Sequence, residues 1–298
     1  MKALKRYAAL VIVAGVVSFF GWYLSSHSEV WHKLSQVDSS TILLLIGLYI
    51  LTLIPLVIIL LATVQLSDVK IKTREGFLLA IYTAIINFFG PLQSGPGFRA
   101  VYLKKKHQIS LKKYGLVSLK YYAMFAYVNM LFMLFGGGLW QLGSVVLVGG
   151  VVAALAANQT TIGKQYVGLE NIRGNFVLLF GTILLISTVA VIFGVELHTL
   201  NSTISFGQVL SYTGAANYSL FVAITPGAIG FRESFILFTE RLHHLDHQTI
   251  IAANALDRSV YVVFLGILFL VSLVFHVKDR LATKQLKQSV SRDAKSVN

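Results

Sequence analysis

The 298-residue chain has 56% hydrophobic and 12% charged residues and a mean hydropathy of +0.73, whereas soluble domains average about 25% charged residues. This composition excludes an ordinary soluble domain and predicts a lipid-embedded protein; the absence of cysteine excludes disulfides and thiol chemistry. The formal charge of +13 does not predict a nucleic-acid partner. The basic residues form short clusters between apolar runs, which is typical of membrane topology.

Six apolar stretches are long enough, or nearly so, for a helix that crosses the membrane, which needs about 20 residues. The first, 7–24, follows a basic start and is interpreted as an uncleaved leading helix rather than a signal peptide. The other predicted spans are 41–61, 115–138, 139–157, 175–195 and 249–275. Residues 277–298 are basic and are predicted to form a cytoplasmic tail.

Two further apolar regions, 75–103 and 207–242, are each broken by proline and glycine. Neither is comfortably long enough for two crossings and a turn, which need more than about 40 residues. The positive-inside rule places both chain termini, and both flanks of the first region, in the cytoplasm. It places Glu196 and both flanks of the second region outside. Each region is therefore predicted to be a re-entrant hairpin.

The tripeptide Gly-Phe-Arg occurs in both regions and ends at Arg99 and at Arg232. Arg99 and Arg232 are 133 residues apart. A shift by the same number of residues relates a first repeat, about 41–138, to a second, about 175–275. The connecting helix 139–157 inverts the second copy. Many transporters use inverted repeats to build a site near the bilayer midplane. The predicted fold class is an all-α integral membrane protein with about six full spans and two re-entrant hairpins, in one polytopic domain, 1–276.

The second helix of each hairpin would begin at the Gly/Pro bend inside the membrane. A helix N-terminus attracts anions, and an arginine in hydrocarbon costs at least about 2.5–3.5 kcal/mol, which an anion would offset. The predicted lipid- or anion-binding residues are Arg99, Arg232, Arg258, Gly97, Gly230 and Thr225, with Glu233 and Asp257 balancing charge. The alternative is an internal ion pair between Arg232 and one of these acids, or between Arg258 and Glu233.

The stretch TPGAIGFRES, 225–234, resembles the signature of the lysylphosphatidylglycerol synthase transmembrane, or flippase-like, family, with Ala228 replacing a glycine of its pattern. The stretch GPGFRA, 95–100, resembles the first-half element of that family. The resemblance implies a bacterial inner-membrane protein that translocates an anionic or aminoacylated phospholipid, such as phosphatidylglycerol or its lysyl form, and is linked to antibiotic resistance. Members with lysyltransferase activity carry a downstream cytosolic domain, which we do not expect here, so enzyme activity is not predicted.

Several alternatives stay open. The chain could be the membrane subunit of a phosphatidylglycerol lysyltransferase system with a separate aminoacyltransferase, a polyprenyl-phosphate carrier translocase, or a non-transporting partner in an envelope complex. A homo-oligomer is also open, as are the lipid, the direction and the coupling ion. The sequence HHLDH, 243–247, has a metal-like histidine spacing but lacks the glutamate of a metalloprotease helix. No metal, cofactor or catalytic residue is predicted.

Overall fold

The computed structural model describes residues 35, 37–89, 94–160, 171–222 and 231–296. The regular elements in these ranges are all helices. In chain order they are α1 (Ser39–Leu51), α2 (Leu53–Leu66), α3 (Thr73–Phe89), α4 (Gly95–His107), α5 (Leu111–Gly136), α6 (Trp140–Ala157), α7 (Ile172–Leu200), α8 (Phe206–Val222), α9 (Phe231–Phe238), α10 (Glu240–His243) and α11 (His247–Ser296).

Five helical segments are long and apolar enough to cross a membrane. They are Ser39–Leu66 (α1 with α2), Leu111–Gly136, Trp140–Ala157, Ile172–Leu200 and the His247–Ser272 part of α11. These segments confirm the prediction of an all-helical membrane protein and coincide with five of the six predicted spans. The remaining predicted span, 7–24, lies outside the described residues. Helix α11 continues to Ser296, through most of the predicted tail.

Polar residues at the helix starts explain several boundaries. Asp38 accepts a hydrogen bond from Ser40 N before α1, and Asn171 Oδ1 accepts one from Gly174 N, 2.8 Å away, before α7. Such caps satisfy N–H groups that have no partner within the helix. The turn from α5 to α6 contains Gly138 with φ of 75°, a conformation that glycine adopts without steric cost.

The described parts of the two broken regions are pairs of short helices that pack against each other, and the bends between them, 90–93 and 223–230, lie outside the described residues. In the first, Glu75 near the start of α3 contacts His107 at the end of α4, at 2.7 Å. In the second, Gln208 near the start of α8 donates to the carbonyl of His244, just after α10, at 3.2 Å. Helices α3 and α8 each have 17 residues, about 26 Å, which is short for a full crossing.

Helices α5 and α8 approach closely through glycine. A Cβ on Gly136 would lie 2.4 Å from Ser211 N, and one on Gly214 would lie 2.5 Å from the carbonyl oxygen of Asn129. The buried side chains of Asn217 and Asn129 hydrogen-bond across this contact at 2.8 Å. Small residues and interhelical hydrogen bonds are the usual means of packing helices in lipid, so this contact joins the two predicted repeats.

Candidate functional site

Arg232 is the second residue of α9 and lies in the protein interior, with 7% of its surface exposed. Its Nη1 donates to Oδ2 of Asp257 on α11, at 2.5 Å. The other oxygen of Asp257 accepts a hydrogen bond from the hydroxyl of Tyr49 on α1. The guanidinium also lies over the ring of Phe193 on α7, 5.0 Å from the centroid. Residues of α7 and α11 therefore hold the start of α9, and α1 reaches the same cluster through Asp257.

Of the two acids predicted to balance Arg232, Asp257 is the one that the structure places in an ion pair with it. The side chain of Glu233 lies outside the described side chains, as do Thr225 and Gly230. The Arg232–Asp257 pair is almost fully buried. Because a buried charge left without its partner costs several kcal/mol, this pair fixes α9 against α11, and the ring of Phe193 adds a cation–π contact.

Glu196 on α7 belongs to the same cluster. From the sequence alone, it served only to place the end of its span on the outer side of the membrane. Its side chain is 0% exposed, and it interacts electrostatically with both Asp257 and Arg232. Glu196 lies three residues after Phe193, so both side chains are on one face of the helix. The available signal was that Glu196 is the single carboxylate in the sequence of α7.

Arg258 follows Asp257 and is also buried, with 4% exposure. It interacts electrostatically with Tyr261, whose ring packs against Tyr49 at 5.1 Å and Phe88 at 5.4 Å. Arg258 therefore lies by an aromatic group that joins α1, α3 and α11. Asp257 also interacts electrostatically with Tyr261, so this tyrosine lies near both charges.

Arg99 on α4 is in a different environment from Arg232. It is partly buried and lies beside the hydroxyls of Tyr121 and Tyr122 on α5. Among the described residues, no carboxylate lies within ion-pair distance of Arg99, and its buried Nε has no hydrogen-bond partner there. Gly97, two residues earlier, is exposed and a Cβ on it would meet open space. Arg99 is thus a partly buried cation with no acidic partner in the part of the chain that the structure describes.

Aromatic side chains extend from the surroundings of Arg99 to helix α9. Tyr122 contacts Phe221 at a centroid distance of 6.3 Å, Phe221 contacts Tyr218 at 5.9 Å, and Tyr218 contacts Phe235 at 6.5 Å. Phe235 lies one turn after Arg232 on α9. Side-chain packing therefore connects the two arginine-bearing helices.

Lys120 is a charged residue within a span that the sequence pattern did not single out. It lies within the candidate span Leu111–Gly136 and is partly buried. Its ammonium donates to Oδ1 of Asn175 on α7, at 2.9 Å. A lysine within a predicted span was the signal that could have identified it.

The HHLDH segment has a structural role at His243. That side chain is fully buried. Its Nε2 lies 2.9 Å from the Ile236 carbonyl, and its Nδ1 accepts from Leu245 N at 3.2 Å. Both ring nitrogens are thus engaged by backbone. In the part of the chain that the structure describes, no group of three or more metal-ligating side chains occurs.

Fold and site together define a helical membrane protein with buried charges where α1, α7, α9 and α11 meet. No protein family, curated protein or solved structure matches the chain.

Proposed function

We propose that the protein translocates an anionic lipid across a bacterial cell membrane and binds the lipid phosphate at the two Gly-Phe-Arg bends. The observation that carries this proposal is that two pairs of short helices each carry an arginine near the start of the second helix, Arg232 buried and Arg99 partly buried. Arginine and helix N-termini are the groups that bind phosphate in proteins. Arg99, with no acidic partner in the described chain, would make the first contact.

The proposed architecture has six full spans, counting 7–24, and two re-entrant hairpins in inverted repeats. Helix starts support the repeat: α1 and α7 start at 39 and 172, and α3 and α8 start at 73 and 206, a separation of 133 residues in both pairs. This is also the separation of Arg99 from Arg232. Helices α4 and α9 start at 95 and 231, and α5 and α11 start at 111 and 247, a separation of 136 in both pairs.

Helix packing supports the same repeat. Contacts between helices of the first repeat recur between the corresponding helices of the second repeat. The contacts of α2 with α3, α3 with α4, and α2 with α5 correspond to those of α7 with α8, α8 with α9, and α7 with α11. Likewise, the contact of α3 with α11 corresponds to that of α8 with α5. Two halves related in this way could alternate the exposure of a site between them.

The cargo class follows from the site's chemistry. Two arginines select a phosphate headgroup, and the apolar helix surfaces suit acyl or prenyl chains. The resemblance to the flippase-like family supports phosphatidylglycerol or its lysyl form, while a polyprenyl phosphate has the same recognition chemistry. A separate aminoacyltransferase, if present, would supply the lysyl lipid. Both termini are proposed to lie in the cytoplasm.

The test is a headgroup-accessibility assay in vesicles, with fluorescent phosphatidylglycerol, lysyl-phosphatidylglycerol and a polyprenyl phosphate as separate cargoes. Arg99→Gln is compared with Arg241→Gln, which alters an exposed arginine of α10. The double variant Arg232→Gln/Asp257→Asn removes both charges of the ion pair together.

Since a hydrogen bond to a charged group contributes about 1.5–3 kcal/mol, we expect Arg99→Gln to slow translocation about 10- to 100-fold. Arg241→Gln should not slow it. If no cargo moves, or if Arg99→Gln transports normally, the proposal is wrong.

The Arg232–Asp257 ion pair favours a second candidate function. An arginine already neutralised within the protein can be purely structural, and the chain would then be a non-transporting membrane partner. In that case, the double variant Arg232→Gln/Asp257→Asn would fold and still support whatever assembly the protein joins, and no cargo would cross. Co-purification of the wild type and the double variant from membranes would show whether a common partner is retained.

A further inference from the structure

Glu196 is a fully buried carboxyl group whose oxygens, Oε1 and Oε2, both lack a hydrogen-bond partner among the described residues. A carboxylate in this setting would be poorly solvated, because ionised groups in the interior require pairing and hydrogen bonds. Its helix face is otherwise apolar, with Ile192 and Leu197 fully buried and Phe193 nearly so. The neutral acid is the form that this environment accommodates.

Charged and titratable groups approach Glu196 from several neighbouring helices. Arg232 comes from α9, Asp257 from α11, and Tyr49 from α1. On the α8 side, Tyr212 packs on Phe193 at 5.3 Å and on His243 at 6.0 Å; helix α2 contributes no titratable residue. Asp257 is engaged by Arg232 and Tyr49, so Glu196 is the acid of this cluster that is left without a described partner.

The net charge of this buried cluster depends on whether Glu196 is protonated. With Arg232 and Asp257 ionised, the described charges beside Glu196 sum to zero when Glu196 is neutral and to −1 when it is ionised. A low-dielectric site with one excess negative charge repels a monoanion such as a phosphodiester headgroup, and a neutral site does not. The protonated state is therefore the one that suits an anion.

We infer that Glu196 is a proton-binding site and that its proton and the anionic lipid headgroup bind together, an inference that rests on the proposed function. Binding transfers a proton from water to a carboxylate oxygen of Glu196, and release returns it to water. By linkage, the proton must raise the affinity for the anion as much as the anion raises the affinity for the proton. A proton suits Glu196 better than a metal cation, which takes several oxygen ligands.

The first test measures the proton directly and needs no lipid transport. Infrared spectra of the purified protein in detergent at neutral pH should contain the C=O stretch of a buried, protonated carboxyl group. Glu196→Gln should remove this band, and Glu240→Gln, which alters an exposed glutamate of α10, should leave it. A band that persists in Glu196→Gln overturns the proton site. Failure of Glu196→Gln to fold also counts against it, because glutamine resembles the neutral acid in size and polarity.

The second test measures the linkage between proton and lipid. The Glu196 band is titrated with pH in the presence of short-chain phosphatidylglycerol or phosphatidylcholine, at high salt to screen surface charge. We expect the midpoint to lie at higher pH with phosphatidylglycerol. Equal midpoints overturn the coupling but leave the proton site standing. If no lipid crosses the membrane in the vesicle assay, the proposed translocation function is refuted. The infrared band would still show whether Glu196 is protonated.

Discussion

Arg232 shows how a buried cation is held inside this protein. Asp257 supplies the counter-charge, Tyr49 donates to the same carboxylate, and Phe193 covers the guanidinium. Each of these contacts joins a different helix to the same cluster. The desolvation of both charges can offset their attraction, so the pair itself need not add to stability, whereas the loss of one partner is strongly destabilising.

This asymmetry predicts the outcome of removing one or both charges. Asp257→Ala leaves Arg232 unpaired in the interior, and we expect it to lower the free energy of unfolding by about 3–5 kcal/mol. The double variant Arg232→Met/Asp257→Leu leaves no buried charge in the pair and should lose much less. Glu240→Ala, at an exposed site, should change stability by under about 0.5 kcal/mol. Denaturant titration in detergent measures all three.

A double variant that is as unstable as Asp257→Ala would contradict this prediction. It would mean that the loss of packing, rather than the unpaired charge, accounts for the effect of Asp257→Ala.

At the scale of elements, a polar cluster joins the two helices of the first hairpin at the ends farthest from the bend. Glu75 in the first turn of α3 accepts hydrogen bonds from Tyr102 at 2.7 Å and contacts Lys106 at 2.9 Å and His107 at 2.7 Å, all on α4. Burial of Glu75 opposes ionisation, but hydrogen bonds from His107, Tyr102 and Lys106 outweigh it and lower its pKa from 4.5 to about 2. The ionised form of Glu75 therefore holds the two helices together.

This pKa predicts a pH dependence of stability. A carboxyl group whose pKa is lower in the folded state stabilises the fold above the unfolded-state pKa. Its contribution is lost as the pH falls from about 4.5 to about 2. We expect the melting temperature of the wild type to fall across this range and that of Glu75→Gln to depend less on pH, starting from a lower value at neutral pH. Glu240→Gln serves as the matched control.

The pH profile of Glu240→Gln should follow that of the wild type. If Glu75→Gln instead shows the wild-type profile, the cluster does not control the acid stability of the hairpin.

At the scale of the whole molecule, the proposed topology places the open ends of the two hairpins on opposite faces of the membrane. The chain contains no cysteine, so a single introduced cysteine is a unique target for a membrane-impermeant maleimide. Exposed positions flank each hairpin: Lys70 and Lys112 flank the first, and Ser202 and Glu240 flank the second.

We expect cysteines at positions 70 and 112 to react from the cytoplasmic side and cysteines at 202 and 240 from the outer side. Both members of each pair react on the same side because each hairpin enters and leaves through one face. Labelling of intact cells and of inverted membrane vesicles distinguishes the sides. Reaction of 70 and 112 on opposite sides would refute the first hairpin, and reaction of all four on one side would refute the inversion.

The amino-acid sequence was sufficient to predict five long apolar helices and their order. The predicted span 175–195 corresponds to Ile172–Leu200, and 115–138 corresponds to Leu111–Gly136. A backbone in lipid must satisfy its hydrogen bonds within each helix. Each helix is therefore determined by its own apolar length and by the positions of proline and glycine, which are local properties of the sequence. The structural boundaries extend beyond the apolar runs because polar residues such as Asn171 and Ser110 cap the helices.

The charges of the site required the tertiary structure. Glu196 stands near the end of a span, where hydropathy suggests contact with water, yet its side chain is fully buried. Arg232 had two acids as candidate partners, and the packing of α9 against α11 brings it to Asp257, 25 residues away. Hydropathy records how apolar a segment is but not which face meets which neighbour. Burial and ion pairing depend on contacts between distant helices, and only the folded chain decides those.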